Sequence, residues 1–158
     1  MSYRKGSFVM NINQFNINNL YFSEPVNNNI IEDGTFYRLQ YANEYISLNS
    51  VIIRLTIDNC HLIKYANKYK CIFNDSNNNI LELLKTIEIK CLTKINSNKE
   101  PKYNLYEQIR NNCIKFFSQN KYSEYPEKIV INFKISGVWE NNTNYGITYK
   151  CYDDANIF

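Results

Sequence analysis

Lysine and arginine recur beside aromatic residues at period-two spacing in this 158-residue chain: Phe36 with Arg38, Lys68 with Lys70, Lys115 with Phe117, Lys150 with Tyr152. Arg54 and Lys134 sit alone in similar apolar runs. Residues two apart on a strand share a face, so each pair places a cation beside a ring or beside a second cation. Cations in that arrangement can follow the charges of a polyanion, and rings can stack on planar groups. Other chemistry is poorly provided for. There is no Gly-rich phosphate loop and no Ser, His and Asp set; Glu82 and Glu88 fall in a helical stretch, and Asp58 ends a strand. His61, the one histidine, directly follows Cys60 and reads as structural or exposed. We therefore expect no enzymatic activity and no cofactor. Cysteines at 60, 71, 91, 113 and 151 are odd in number and form no CxxC pair, so no metal site is expected. As buried, reduced thiols they imply a reducing compartment.

Composition sets the frame that must position these residues. With 44% hydrophobic and 15% aromatic residues, and 14 Tyr and 9 Phe against 4 Gly and 3 Pro, the chain reads as folded and strand-rich. Its length fits one domain. Net charge is +3, and since Asp153 and Asp154 are the only charged residues after 152, residues 1–152 carry +5. The N-terminus has no apolar run of signal-peptide length, and no stretch is long and apolar enough to span a membrane. The expectation is a cytoplasmic protein.

Residues 1–35 read as an extended lead-in with one short strand near Leu20 to Phe22. From Phe36 the pattern has period two, in FYRLQY, YISL, VIIRLTID and KYKCIF, with polar breaks between the runs. The period then changes: Ile80, Leu84, Ile87, Cys91 and Ile95, with Asn79 placed to cap, predict a helix over about 79–96. Residues 103–118 fit either a helical stripe through Leu105, Ile109, Cys113 and Phe116 or a hairpin turning at 110–112, and we expect the hairpin. KIVINFKISGVW and YGITYKCY, joined by ENNTN, predict a long final hairpin. Strands, one helix and further strands suggest a mainly β, OB-fold-like antiparallel Greek-key barrel, with the helix between strands 3 and 4. Other small barrels and α+β sheets share that order.

Strand parity then sorts the side chains. Ile129, Ile131, Phe133 and Ile135 share one face and Lys134 takes the other; Arg54 opposes Ile53 and Leu55, and Lys68 and Lys70 oppose Tyr69 and Cys71. The outward set is Phe36, Arg38, Arg54, Lys68, Lys70, Tyr106, Arg110, Lys115, Phe117, Lys134, Lys150 and Tyr152, with Tyr106 and Arg110 depending on the hairpin reading. Single-stranded nucleic acid needs this combination of phosphate-tracking cations and stacking rings. Solvent-facing lysines that protect strand edges would give a similar pattern. By parity Trp139 continues the apolar face, as a core or rim residue.

The segment Lys134 to Lys150 resembles the last strands of small viral-type single-stranded DNA-binding proteins, OB-fold proteins of phages, large cytoplasmic DNA viruses and cytoplasmic linear plasmids of yeasts. Their last strands carry a G-[IV]-W stretch, a short polar loop and Y-G-[ILC]-T-[YW]-K. Gly137, Val138, Trp139, Tyr145, Gly146, Ile147, Thr148, Tyr149 and Lys150 match that pattern. Leu20 to Pro25 is similar to an F-S-x-P-like start. The resemblance covers the C-terminal quarter, and the remainder by strand order. It implies sequence-tolerant coating of single-stranded DNA during replication of a cytoplasmic element, and it adds Trp139 to the candidate DNA-binding set. It also implies that residues 153–158, with Asp153, Asp154 and Phe158, form a short acidic tail offered to a polymerase or helicase. A homo-oligomer is compatible with this picture. The alternative is a structural or protein-interaction β-barrel module, such as a virion or assembly component, and a third is a metal-dependent nuclease.

Overall fold

Short alternating runs dominate the chain, and the computed structural model turns nearly all of them into strands. It describes residues 8–28, 30 and 34–154. In order these hold β1 (Val9–Asn11), β2 (Leu20–Phe22), β3 (Val26–Asn28), β4 (Gly34–Ala42), β5 (Ser47–Leu48), β6 (Val51–Asp58), β7 (His61–Tyr65) and β8 (Lys68–Ile72). Then come α1 (Asn78–Thr93), β9 (Glu100–Lys102), α2 (Asn104–Ile109), β10 (Cys113–Phe117), β11 (Lys128–Glu140) and β12 (Asn144–Tyr152). The fold is mainly β with one main helix.

The sheet follows the path β1-β6-β11-β12-β10-β8-β7, and β2, β3 and β5 attach to it through β4. Three pairings, β1 with β6, β9 with β12 and β10 with β12, are parallel, so the sheet is mixed where an antiparallel arrangement was expected. It is also open: β1 and β7 end the path, and among the described residues no ladder joins them. Three elements of the lead-in take part in this fold. Met10 on β1 and Leu20 on β2 are buried, and the Tyr41 hydroxyl accepts the Asn16 N–H at 3.0 Å.

The core gathers the alternate residues Val51, Ile53, Leu55 and Ile57 of β6, Ile129 to Ile135 of β11, Tyr69 and Cys71 of β8, and Ile114 and Phe116 of β10. The stripe Ile80, Leu84, Ile87 and Cys91 of α1 closes that cluster from the other side, as its helical spacing predicts. The first residue of the helix is Asn78 rather than Asn79, and the side chain of Asn77 is spent on the backbone of Asp58.

The hairpin expected over 103–118 is not formed. Its first half is α2, and the reason lies on another element: the buried Glu88 carboxylate of α1 accepts the Leu105 N–H at 2.9 Å and the Tyr106 N–H at 2.8 Å. Two otherwise unpaired donors at a helix start are thereby satisfied. Leu105 and Ile109 are buried, and Asn112, at φ 54°, turns the chain into β10.

Strand β11 is the long beam of the sheet. Residues 128–135 pair with β6 and residues 137–140 pair with β4, while β12 runs along its other edge. A β-bulge between Ile135 and Gly137 marks the change of partner. One extra residue reverses the parity of everything after it. Val138 is therefore fully buried, and Trp139 turns to the outer face, against the expectation from strict alternation.

Candidate nucleic-acid interface

Cross-strand register places the outward residues more closely than parity alone could. Asn11, Arg54, Asn132, Tyr152, Phe117, Lys68 and Tyr65 are successive partners across β1, β6, β11, β12, β10, β8 and β7, forming one row over the whole path. In the neighbouring row Lys134 stands directly opposite Lys150, and Lys115 directly opposite Lys70. Neighbouring strands lie about 4.8 Å apart, so these four lysines run across the strands rather than along one.

Three lysines of this face, Lys68, Lys115 and Lys150, lie over rings. The Lys68 ammonium lies 4.7 Å and the Lys150 ammonium 5.3 Å from the centre of Phe117. Lys150 also lies 5.8 Å from the ring centre of Tyr152, and Lys115 lies 5.9 Å from that of Tyr65. Among the described residues no carboxylate pairs with Lys68, Lys70, Lys115, Lys134 or Lys150; the ion pairs formed are Arg54–Asp154, His61–Glu124, Lys85–Glu82, Lys102–Glu100 and Arg110–Glu107. Directly opposed like charges on a sheet are unfavourable. An anion bound across these pairs would relieve that repulsion.

At the junction of β10 and β12, where a single bridge joins the strands, Gln108 of α2 fills the gap: its carbonyl accepts the Lys115 N–H at 3.1 Å and its amide donates to the Tyr149 hydroxyl. Sequence parity gave no hint of this brace. Tyr65, on a strand the period-two reading passed over, was also missed, although the alternation Ile63, Tyr65 could have flagged it.

The second part of the face is the corner made by the bulge. Phe36 on β4 is the cross-strand partner of Trp139 on β11, and Trp139 is in turn the partner of Gly146 on β12. The two glycines of the hairpin motif form seats for these rings. A Cβ on Gly146 would stand 2.9 Å from Cζ2 of Trp139, and one on Gly137 would stand 2.6 Å from Cζ of Phe36 and collide with the Tyr37 carbonyl. Phe36, Arg38, Lys134 and Trp139 all line one open cavity of about 810 Å³.

Of the sequence candidates, Phe36, Arg38, Arg54, Lys68, Lys70, Lys115, Phe117, Lys134, Trp139, Lys150 and Tyr152 thus share one face of the sheet. Tyr106 and Arg110 do not join them. Both belong to the helical layer, where Tyr106 meets Lys85 of α1 and Arg110 pairs with Glu107 at 3.6 Å.

The acidic tail is only partly a tail. Asp153 is 7% exposed, and its Oδ2 accepts from Ser118 at 2.5 Å, from Asn120 at 2.7 Å and from the Tyr122 hydroxyl. Burial and the Asp153 bond push the Tyr122 phenol up to about 12, which keeps it a neutral donor. Asp154 accepts from Asn132 at 2.7 Å and lies 3.7 Å from Arg54. The first acid is thereby a clip for the 118–122 loop rather than a group presented to a partner, and the second rests against the interface row. Phe158 lies outside the described residues.

All five cysteines are buried and unpaired, and among the described residues no cluster of His, Cys, Asp and Glu could hold a metal ion. No described helix is long and apolar enough to cross a membrane. Scans of the chain against protein-family models, the curated proteins and the solved structures gave no match.

Proposed function

We propose that the protein binds single-stranded DNA without enzymatic activity, and coats exposed strands during replication of a cytoplasmic DNA element. One observation carries the reading: two directly opposed lysine pairs, Lys134 with Lys150 and Lys115 with Lys70, without carboxylate partners and beside a row of rings. Phosphates crossing the strands would relieve that repulsion, and binding to a chain of phosphates is sequence-tolerant and salt-sensitive. The likeness of the final hairpin to viral-type single-stranded DNA-binding proteins supports the same reading, since its glycines and tryptophan build the aromatic corner. We also read the sheet as a variant of the OB barrel. In support, α1 lies in the chain between the β6–β8 strands and the final β11–β12 hairpin, and β10 runs parallel to β12.

The test is a fluorescence titration of labelled oligo-dT at low and high salt. Binding at micromolar protein that weakens steeply with salt is expected. Absence of binding overturns the reading and favours a protein-docking role for the face; equal affinity for duplex overturns its single-strand character.

A further inference from the structure

We propose that the cavity at the bulge of β11 is a nucleobase pocket, which takes one base against Phe36 and Trp139 with its phosphate toward Arg38 and Lys134. The inference rests on the nucleic-acid reading above and divides the face into two functions.

The division follows from which rings are already engaged. Phe117, Tyr152 and Tyr65 each carry an ammonium in cation–π contact, so a base stacking there would have to displace a lysine. Phe36 and Trp139 hold no such contact and no ring–ring contact among the described residues, yet both line the cavity. Their seating on Gly137 and Gly146 fixes them against the sheet. The cavity, about 810 Å³, falls in the size range of small-ligand sites, about 300–1,000 Å³. Arg38 and Lys134 supply positive charge, and no acid is among the described residues that line it. Asn28, Ser50 and Thr148 offer amide and hydroxyl groups that both donate and accept, which suits any base edge. The row of lysines then tracks phosphates, and the corner holds a base.

Trp139 is the only tryptophan, so its indole N–H is a single signal in an amide proton–nitrogen NMR spectrum. The full chain is titrated with deoxyadenosine 5′-monophosphate and, separately, with ribose 5-phosphate, which lacks the base. A saturable shift of the indole signal with the nucleotide and none with the sugar phosphate is expected. Phe36→Leu, which keeps bulk and removes the π face, should weaken the nucleotide by about fivefold or more. Arg38→Gln, at an exposed side chain, should weaken it by at least about twofold. An unmoved indole signal, an equal shift with ribose 5-phosphate, or unchanged affinity in Arg38→Gln or in folded Phe36→Leu overturns the pocket. A parallel oligo-dT titration separates the two readings. Oligonucleotide binding with no nucleotide shift sinks the pocket alone; a nucleotide shift with no oligonucleotide binding sinks strand coating and leaves a mononucleotide site.

Discussion

Lys134 and Lys150 are direct cross-strand partners on β11 and β12, two ammonium groups held on one face with no carboxylate partner among the described residues. Such a pair costs the free protein roughly 0.2–1 kcal/mol relative to a neutral pair. Lys134→Gln should therefore raise thermal stability slightly while weakening oligo-dT, and Lys150→Gln, which also gives up the contacts with Phe117 and Tyr152, should weaken oligo-dT without that gain. The salt slope of binding, log affinity against log salt, should fall by about one for each lost phosphate contact. A variant that loses stability and keeps its salt slope would remove that lysine from the interface.

Gly137 and Gly146 separate folding from seating. Gly137→Ala drives a methyl group into the Tyr37 carbonyl, part of the β4 backbone, and should destabilise by about 1–3 kcal/mol in chemical denaturation. Gly146→Ala meets the edge of the Trp139 indole at 2.9 Å and should shift the tryptophan emission with a smaller stability loss. Equal stability losses, or an unshifted emission for Gly146→Ala, would show that the rings do not rest on these positions.

Glu88 supplies a pH dependence. Burial raises its carboxyl above the ordinary range, and the N–H bonds from Tyr106 and Leu105 draw it back only in part. A folded-state value above the unfolded one means that the folded chain holds the proton more tightly. The stability from this group is full below the unfolded value and declines as pH rises through the folded value. Relative to Glu88→Gln, which does not titrate, the wild type should lose stability as pH rises above the ordinary carboxylate range. Glu88→Ala leaves two N–H donors without their acceptor and should cost about 2–3 kcal/mol, read by urea unfolding.

Two truncations test the clip at the chain's end. Ending the chain after Tyr152 removes the acceptor shared by Ser118, Asn120 and Tyr122, and should lower the melting temperature by several degrees. Ending it after Asp154 keeps that acceptor and should lower the melting temperature less. Equal melting temperatures for the two would show that the Asp153 bonds contribute nothing.

The parts of this fold governed by local period were legible in the sequence. The stripe Ile80 to Cys91, the run Val51 to Ile57 and the first half of β11 follow directly from the spacing of their apolar residues. What stayed hidden depends on partners distant in sequence or on a single break in period. α2 owes its start to Glu88, sixteen residues before Asn104, so from the sequence alone the turn reading prevails over its helical stripe. Trp139 was assigned to the wrong face because the bulge leaves no mark that alternation can register; Gly137 is the nearest clue. Asp153 looked like tail because its neighbour is acidic, and the donors that hold it lie on a loop more than thirty residues earlier in the chain.

Each of the four opposed lysines comes from a different strand, β11, β12, β10 and β8. Within each opposed pair the spacing is thus dictated by backbone hydrogen bonding and is indifferent to loop length. Insertions in the connecting loops can accumulate without altering the pitch of either pair. The span of contact can grow or shrink only by the gain or loss of an entire strand, so such a surface would change its footprint in discrete steps rather than gradually.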